Sequence, residues 1–232
     1  SVSNRNWFVY GDNEAFVDSL PKELQEPCRK RMRGGEVYGP DEYFRAVAAL
    51  HEKRSGEKVR IMHGPVSPQW VDEETLGRIR EDANEKGIPI HIHVQQTQLQ
   101  KLYGLKQYGK SLIAYLDDSG FLGPDVTIGH AVWLSEDDIA RIAASGASVT
   151  HHAACNLRVR NGISPVYAMV EKGINVGIGM DDKEFGDDKD FIEELRLVSK
   201  LHRNPSHRLD SAHLKPRHVF SMGTRNGAGI LG

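Results

Sequence analysis

Ile88-Pro89-Ile90-His91-Ile92-His93-Val94 is the stretch that decides the fold. It is almost continuously apolar and too short for a helix, so it reads as a strand buried on both faces, as in a parallel sheet. Four further runs share that character: Val59–His63, Val126–Val132, Ala147–His151 and Ile174–Met180. Their starts at 59, 88, 126, 147 and 174 step by 29, 38, 21 and 27 residues, the scale of a strand plus its returning helix. Helix signals fill the gaps. Asp72 stands as N-cap before Leu76, Ile79 and Ala83, and Gly87 closes that helix. Ser135 to Asp138 reads as a capping box before Ile139, Ile142 and Ala143, closed by Gly146. Pro165 suits a first helical turn that ends at Gly173, and an earlier helix runs from Asp41 to about Lys53.

Repeated βα units leave two architectures. An open dinucleotide-binding sheet needs a third glycine opening a helix, and Gly177-Ile178-Gly179 is followed by Met180-Asp181 instead. A (β/α)8 barrel of the TIM type uses about 31 residues per unit. The expected fold is therefore α/β, five such units with a lead-in, residues 1–232 forming one domain of an incomplete barrel. A start at Ser1 without an initiator Met reads as the middle of something longer.

Composition narrows the function. Thirty basic against 32 acidic side chains, a net charge of −2, exclude nucleic-acid binding by bulk positive charge. No apolar stretch approaches the roughly 18–20 residues that cross a bilayer, so no membrane partner is expected. There is no basic-then-apolar leader, and Cys28 and Cys155 lie far apart, which reads as two reduced thiols in a soluble, cytoplasmic protein. A small-molecule substrate remains. Exposed strand edges of a part-barrel also invite copies of the chain to pair as a homo-oligomer.

The chemistry sits where the strands end: His91-Ile92-His93, Gly129-His130, His151-His152 and Met180-Asp181-Asp182. In such barrels the C-terminal strand ends form the reactive rim. Imidazoles and carboxylates converging from several strands suit a first-row divalent metal. A single strand-end His is usually a hydrogen-bonded structural group and a single Asp a helix cap; four such ends in succession outweigh that reading. His91 and His93 share one face of their strand, and His93, nearer the rim, is the ligand candidate. One of His151 and His152 faces the site. His63 either lines the pocket or is structural, and Asn156 and Arg158 either read a substrate or serve a turn. Glu184, Asp187, Asp188 and Asp190 read as a solvated helix start, and Arg29–Arg33 as a solvated helix face. Cys155, with no paired Cys, is not a zinc-finger element.

The run from Gly64 to Gly232 resembles the amidohydrolase superfamily, in its cytosine/guanine-deaminase and triazine-hydrolase branch. The matching pieces are Gly64-Pro65-Val66-Ser67-Pro68, His91-Ile92-His93-Val94-Gln95-Gln96-Thr97 and Gly129-His130. Cys155-Asn156-Leu157 with Asn161-Gly162, Gly177 to Asp182, and Gly223 to Gly232 follow in order. The resemblance implies that His93 is the fifth-strand metal ligand. It implies that Asp181 is the eighth-strand ligand, which also takes a proton from the hydrolytic water, and that His130 contacts water and substrate. No Lys occurs in Val59–His63, so a mononuclear zinc site, with iron as the alternative, is expected over a carboxylated-lysine pair. His151 and Asn156 are the substrate-binding candidates.

Two departures qualify this. The family's first-strand His-x-His pair has no counterpart, because only 139 residues follow His93, too few for seven further units. The chain therefore reads as strands 4–8 without the flanking β-sandwich. The family's proton-donating Glu, three residues after the fifth-strand His, is Gln96 here, and Gln hydrogen-bonds but cannot cycle a proton near neutral pH. The expected function is a metal-dependent, deaminase-like hydrolase of a non-peptide C–N bond in a heterocycle. The alternatives are a dehalogenating hydrolase or an inactive scaffold.

Overall fold

The structure, a computed structural model, describes residues 2–3, 13–32, 39–182, 189–203 and 213–232. It divides into two compact units, Ser1–Ile92 and His93–Gly232.

The first unit holds α1 (Asn13–Asp18), α2 (Lys22–Met32), α3 (Pro40–Arg54), α4 (Glu73–Lys86) and the start of β1 (Ile90–Val94). α4 begins and ends where its caps place it: Asp72 accepts from the Thr75 N–H at 2.7 Å, and Gly87 turns left-handed at φ 65°. Val59–His63, expected as a strand, is not one. Gly56 and Val59 face each other across a tight turn, and Val59 is 50% exposed between the charged Lys58 and Arg60. Only His63 keeps sheet character, donating its N–H to Pro89 O and accepting the His91 N–H, both at 2.8 Å. Its side chain is fully buried, with Nδ1 3.1 Å from the Tyr43 hydroxyl and Nε2 3.1 Å from Asp82. Burial holds this imidazole below its ordinary value despite Asp82, and burial pushes Tyr43 up to about 12. The structural reading of His63 is the one these contacts support.

The second unit carries the rest of the sheet: β2 (Val126–His130), β3 (Ser148–His151) and β4 (Val176–Ile178). α5 (Gln98–Tyr108) and α6 (Leu112–Asp118) precede β2, and α7 (Glu136–Ser145) returns the chain to β3. α8 (Ala153–Arg158) and α9 (Val166–Glu171) precede β4, and α10 (Phe191–Leu201), α11 (Pro216–Ser221), a π turn (Met222–Asn226) and α12 (Gly227–Leu231) follow it. Strand order is sequential, β1-β2-β3-β4, with β2, β3 and β4 parallel. Gly129 pairs with Thr150 and Thr150 with Gly177. Helices returning between sequential parallel strands are the successive units of a TIM-type α/β barrel. All five β2 residues are buried, as a continuously apolar strand requires. The Ser135 capping box forms in full, and Gly146 closes α7 at φ 75°. Asp190 caps α10 by accepting from Ile192 and Glu193 N–H groups at 2.9 and 3.1 Å, the helix start expected of the acidic cluster. Glu184, Asp187, Asp188 and Arg33 lie outside the described residues. Arg29 pairs with Glu14 and Asp18 at 3.1 and 2.7 Å, in keeping with a solvated helix face. No described helix is long and apolar enough to cross a membrane.

Ile128 lies in β2, between β1 and β3, at 0% exposure. Ile128→Ala should lower stability by about 2–5 kcal/mol in urea unfolding followed by far-UV circular dichroism. Leu99→Ala, at a residue 54% exposed on α5, should shift it by less than about 0.5 kcal/mol. Similar losses from both would contradict the assignment of β2 to the core.

Candidate active site

The parallel ladder sends β2, β3 and β4 to the same end, and the chain turns abruptly there. The Ala131 N–H donates to Gly129 O at 3.0 Å with His130 between them at φ 70°, a three-residue γ-turn of the strained hand. Gln95, Ala131 and Asp181 are also left-handed, at φ 50°, 47° and 63°. Non-glycine residues in that region cost energy and concentrate at functional sites. This turn, rather than the apolar run, ends β2 at His130, two residues before Val132.

Three imidazoles stand in a row at this rim. The His93 and His130 ring centroids are 5.3 Å apart, and those of His130 and His152 are 4.7 Å apart. His130 is 1% exposed, and its Nδ1 lies 3.0 Å from Asn156 Oδ1. Its Nε2 faces Asp181 Oδ2 at 3.6 Å. Burial and the neighbouring His93 push His130 down to about 4, against the pull of Asp181, so the ring is neutral at pH 7. Burial alone would raise Asp181; hydrogen bonding from Cys155, with His152, His130 and the Asp182 N–H, holds it below its ordinary value instead. The Cys155 thiol donates to Asp181 Oδ2 at 3.0 Å, while burial and that carboxylate push the thiol up, so it stays protonated. The Asp182 N–H donates to Asp181 Oδ1 at 2.8 Å, which leaves Oδ2 as the oxygen turned to His130.

The other sequence candidates fall in different places. His151 is fully buried, with Nε2 3.1 Å from His202 Nε2; His152, with Nε2 3.1 Å from Thr150 Oγ1, is the one beside His130. Strand alternation causes this, since successive side chains leave β3 on opposite faces. A Cβ on Gly179 would lie 2.7 Å from the His152 ring, so glycine there lets that ring sit against the end of β4. Gln96 is half-buried one residue past the left-handed Gln95, with its N–H donated to Gln100 Oε1 at 2.6 Å. Arg158 is exposed. Asn156 is buried and spends its oxygen on His130 and on Asn161 Nδ2, at 3.0 and 3.2 Å.

Two residues escaped the sequence reading. Cys155 was set aside for lack of a paired Cys, yet its sulfur sits among the donors. Glu194, buried on α10, accepts the Ala153 and Ala154 N–H groups at 2.7 and 3.2 Å, anchoring the turn that carries His152 and Cys155. A Glu on an amphipathic helix carries no sequence signal of such a role.

The imidazole and the carboxylate suit a divalent metal, and the Cys155 thiol would have to give up its proton to join them. Imidazole nitrogen, carboxylate oxygen and sulfur from His130, Asp181 and Cys155 lie within 4.8 Å of one another. His130 has an acceptor oxygen at each ring nitrogen, Asn156 Oδ1 at 3.0 Å and Asp181 Oδ2 at 3.6 Å, and a neutral imidazole has one N–H to give, so one side calls for a cation or a further donor.

A parallel βα sheet with a histidine and aspartate cluster at its C-terminal rim defines the class: barrel proteins that work at their strand ends. Residues 34–232 match the Amidohydrolase family, and the chain belongs to it. It is 37% identical over 235 residues to 5'-deoxyadenosine deaminase of Methanosarcina mazei, covering 96% of this chain and 53% of the relative. It is 36% identical over 190 residues to 5-methylthioadenosine/S-adenosylhomocysteine deaminase of Thermococcus kodakarensis, covering 82% and 44%. Among solved structures, an adenosine deaminase of Xanthomonas campestris with bound zinc superposes at a TM-score of 0.80 with 27% identity, covering 84% of this chain and 44% of that one. The chain spans about half the length of the curated relatives it matches.

The buried imidazoles set a pH response. Burial holds His202 near 4 against an ordinary 6.5 and holds His151 well below it, so the unfolded chain takes up protons first as pH falls. Their contribution is intact above about pH 6.5 and is lost progressively toward pH 4. Urea midpoints measured from pH 7.5 to 4.5 should fall over that window, and His202→Gln should flatten the slope. A flat wild-type profile would contradict the burial of the pair.

Proposed function

We propose that this chain supplies the strand-end residues of a mononuclear zinc hydrolase that releases an amine from a heterocyclic small molecule of the adenosine type. The observation that carries this reading is the facing pair, His130 Nε2 and Asp181 Oδ2 at 3.6 Å, with the His93 ring tilted at 31° to the His130 ring and 5.3 Å from it. The deaminase names of the relatives support the C–N bond and the substrate class, and the zinc in the adenosine deaminase supports the metal, with iron as the alternative. In this reading His93 and Asp181 would hold the ion, with His130 and the Cys155 sulfur beside the same carboxylate, and the ion would supply Lewis-acid activation of water at neutral pH.

The chain's own groups do the rest. Asp181, ionised at neutral pH, takes a proton at Oδ2, the oxygen that faces His130 and already accepts from the Cys155 thiol. His130, neutral, accepts a hydrogen bond at Nε2 from the water or from the substrate, and orients it. His152 takes the substrate-facing place expected of His151. Gln96 hydrogen-bonds substrate but delivers no proton. That last point favours a second reading, displacement of a weakly basic group such as halide, which departs without protonation. Cys28 and Cys155, neither of them in a disulfide, fit placement in the cytoplasm.

The full-length gene product should be purified, its zinc measured, and both adenosine-type amines and chlorinated heterocycles assayed. His93→Ala and Asp181→Asn should lose zinc, and Asp181→Asn should slow turnover at least about 10²-fold, the scale of losing a positioned proton acceptor. Gln96→Glu should raise amine release by up to about 10²–10⁴-fold and chloride release far less. Ammonia release that survives zinc removal would sink the reading; chloride release without ammonia release would select the second.

A further inference from the structure

The segment between β3 and α9, which includes α8, reaches back to the strained end of β2 at several points. Asn156 Oδ1 meets His130 Nδ1 at 3.0 Å, the Ser164 hydroxyl donates to Ala131 O at 2.8 Å, and Trp133 Nε1–H donates to Asn161 O at 2.6 Å. Asn161 ties the segment to itself, its N–H donating to Asn156 O at 2.8 Å and its Nδ2 to Asn156 Oδ1 at 3.2 Å. Gly162, at φ 117°, lets the loop after α8 lie flat on the residues after β2, where a Cβ would come within 3.1 Å of Val132 Cγ1.

The hydrogen-bond directions restrict the ring. A side-chain amide presents one acceptor atom and one donor atom. Because Asn161 Nδ2 donates to Asn156 Oδ1, the oxygen of Asn156, not its nitrogen, faces His130. An oxygen can only accept, so a neutral His130 must carry its proton on Nδ1. Nε2 is then a bare acceptor aimed at Asp181 Oδ2, 3.6 Å away. Asn156 Nδ2 is buried with no partner among the described residues, so the amide is held by what its oxygen accepts rather than by a donor contact of its own.

We propose that Asn156, oriented by Asn161, is a positioning residue that locks His130 in the Nδ1–H tautomer. The consequence in turnover rests on the hydrolase reading above: the locked ring offers an acceptor, never a donor, to water or substrate at Nε2. The opposite tautomer would turn an N–H toward Asp181 and occupy the oxygen that takes the proton. Asn156 therefore acts through His130 and need not touch substrate.

The tautomer can be read without activity. The metal-stripped chain, labelled with 15N at histidine, is observed by long-range proton–nitrogen correlation at neutral pH, with His130→Gln used to assign the His130 signals. Wild type should show a protonated Nδ1 and a bare Nε2. Asn156→Ala should shift the ratio roughly five- to tenfold toward Nε2–H, the effect of losing one buried hydrogen bond. Asn161→Ala should move it the same way by less, because the freed Asn156 amide can flip and present a donor to Nδ1. Asn156→Asp keeps an acceptor in place and should restore Nδ1–H. In the full-length product Asn156→Ala should lower kcat more than it changes KM. A wild-type His130 protonated on Nε2, or a tautomer ratio unmoved by Asn156→Ala, overturns the proposal. The expected tautomers without any hydrolase activity would leave the lock intact and overturn only the catalytic reading.

Discussion

Parallel pairing is the constraint on which the rest of this site depends. Antiparallel neighbours would send alternate strand ends to opposite sides, whereas β2, β3 and β4 run in register, with Gly129, Thr150 and Gly177 on successive rungs. One residue past Gly129 is His130, two past Thr150 is His152, and four past Gly177 is Asp181. Each of these side chains thus lies within a few residues of a shared rung. A slip of one residue in any strand would put its side chain on the other face. The buried apolar residues Ile128, Val149 and Val176, which share the next rung, hold that register.

The rim carries strain that the core has to offset. His130, Ala131 and Asp181 adopt left-handed backbone without being glycine, at a cost on the order of 1–3 kcal/mol each. Burying His130 and His151 as neutral rings adds a further penalty under acid conditions. Hydrogen bonds from the segment between β3 and α9, and the Glu194 carboxylate on the first N–H groups of α8, hold these geometries in place. A second network lies behind them. Asp138 receives the Ser135 N–H, the Gln95 Nε2–H and the Ser111 hydroxyl, and Gln95 O accepts from both Val132 and Trp133. One carboxylate thereby caps α7 and holds the left-handed turn at the end of β1.

Membership of the amidohydrolase family fixes less about chemistry than about architecture. The adenosine deaminase of Xanthomonas campestris keeps the same fold at a TM-score of 0.80 with only 27% identity. Barrel loops vary while the strand ends stay in place, so substrate choice has to come from particular side chains. Gln96 is the candidate that the sequence singles out: an amide hydrogen-bonds but cycles no proton near neutral pH, and its backbone N–H is held by Gln100.

The sheet was legible because its strands are apolar on both faces and its helices carry complete cap signals, Asp72 with Gly87 and Ser135 with Gly146. One strand was misread. In Val59–His63 the apolar count ignored Lys58 and Arg60, and the segment turns at Gly56 and Val59 instead of pairing along its length. The rim cluster was legible in outline, since any residue ending a strand of a parallel sheet is carried to the same side. What local sequence could not encode is direction and partnership. His152 rather than His151 lies beside His130 because β3 alternates its faces, and His151 turns instead to His202, 51 residues away. Cys155 meets Asp181 across 26 residues, Asn156 meets His130 across the same span, and Glu194 meets Ala153 across 41. Sequence by itself determined most of the elements and the strand ends at which His and Asp gather, because periodicity and capping act within a few residues. Which side chains touch was decided only by tertiary structure, because hydrogen bonds between strand ends depend on register and backbone turns that no local pattern records.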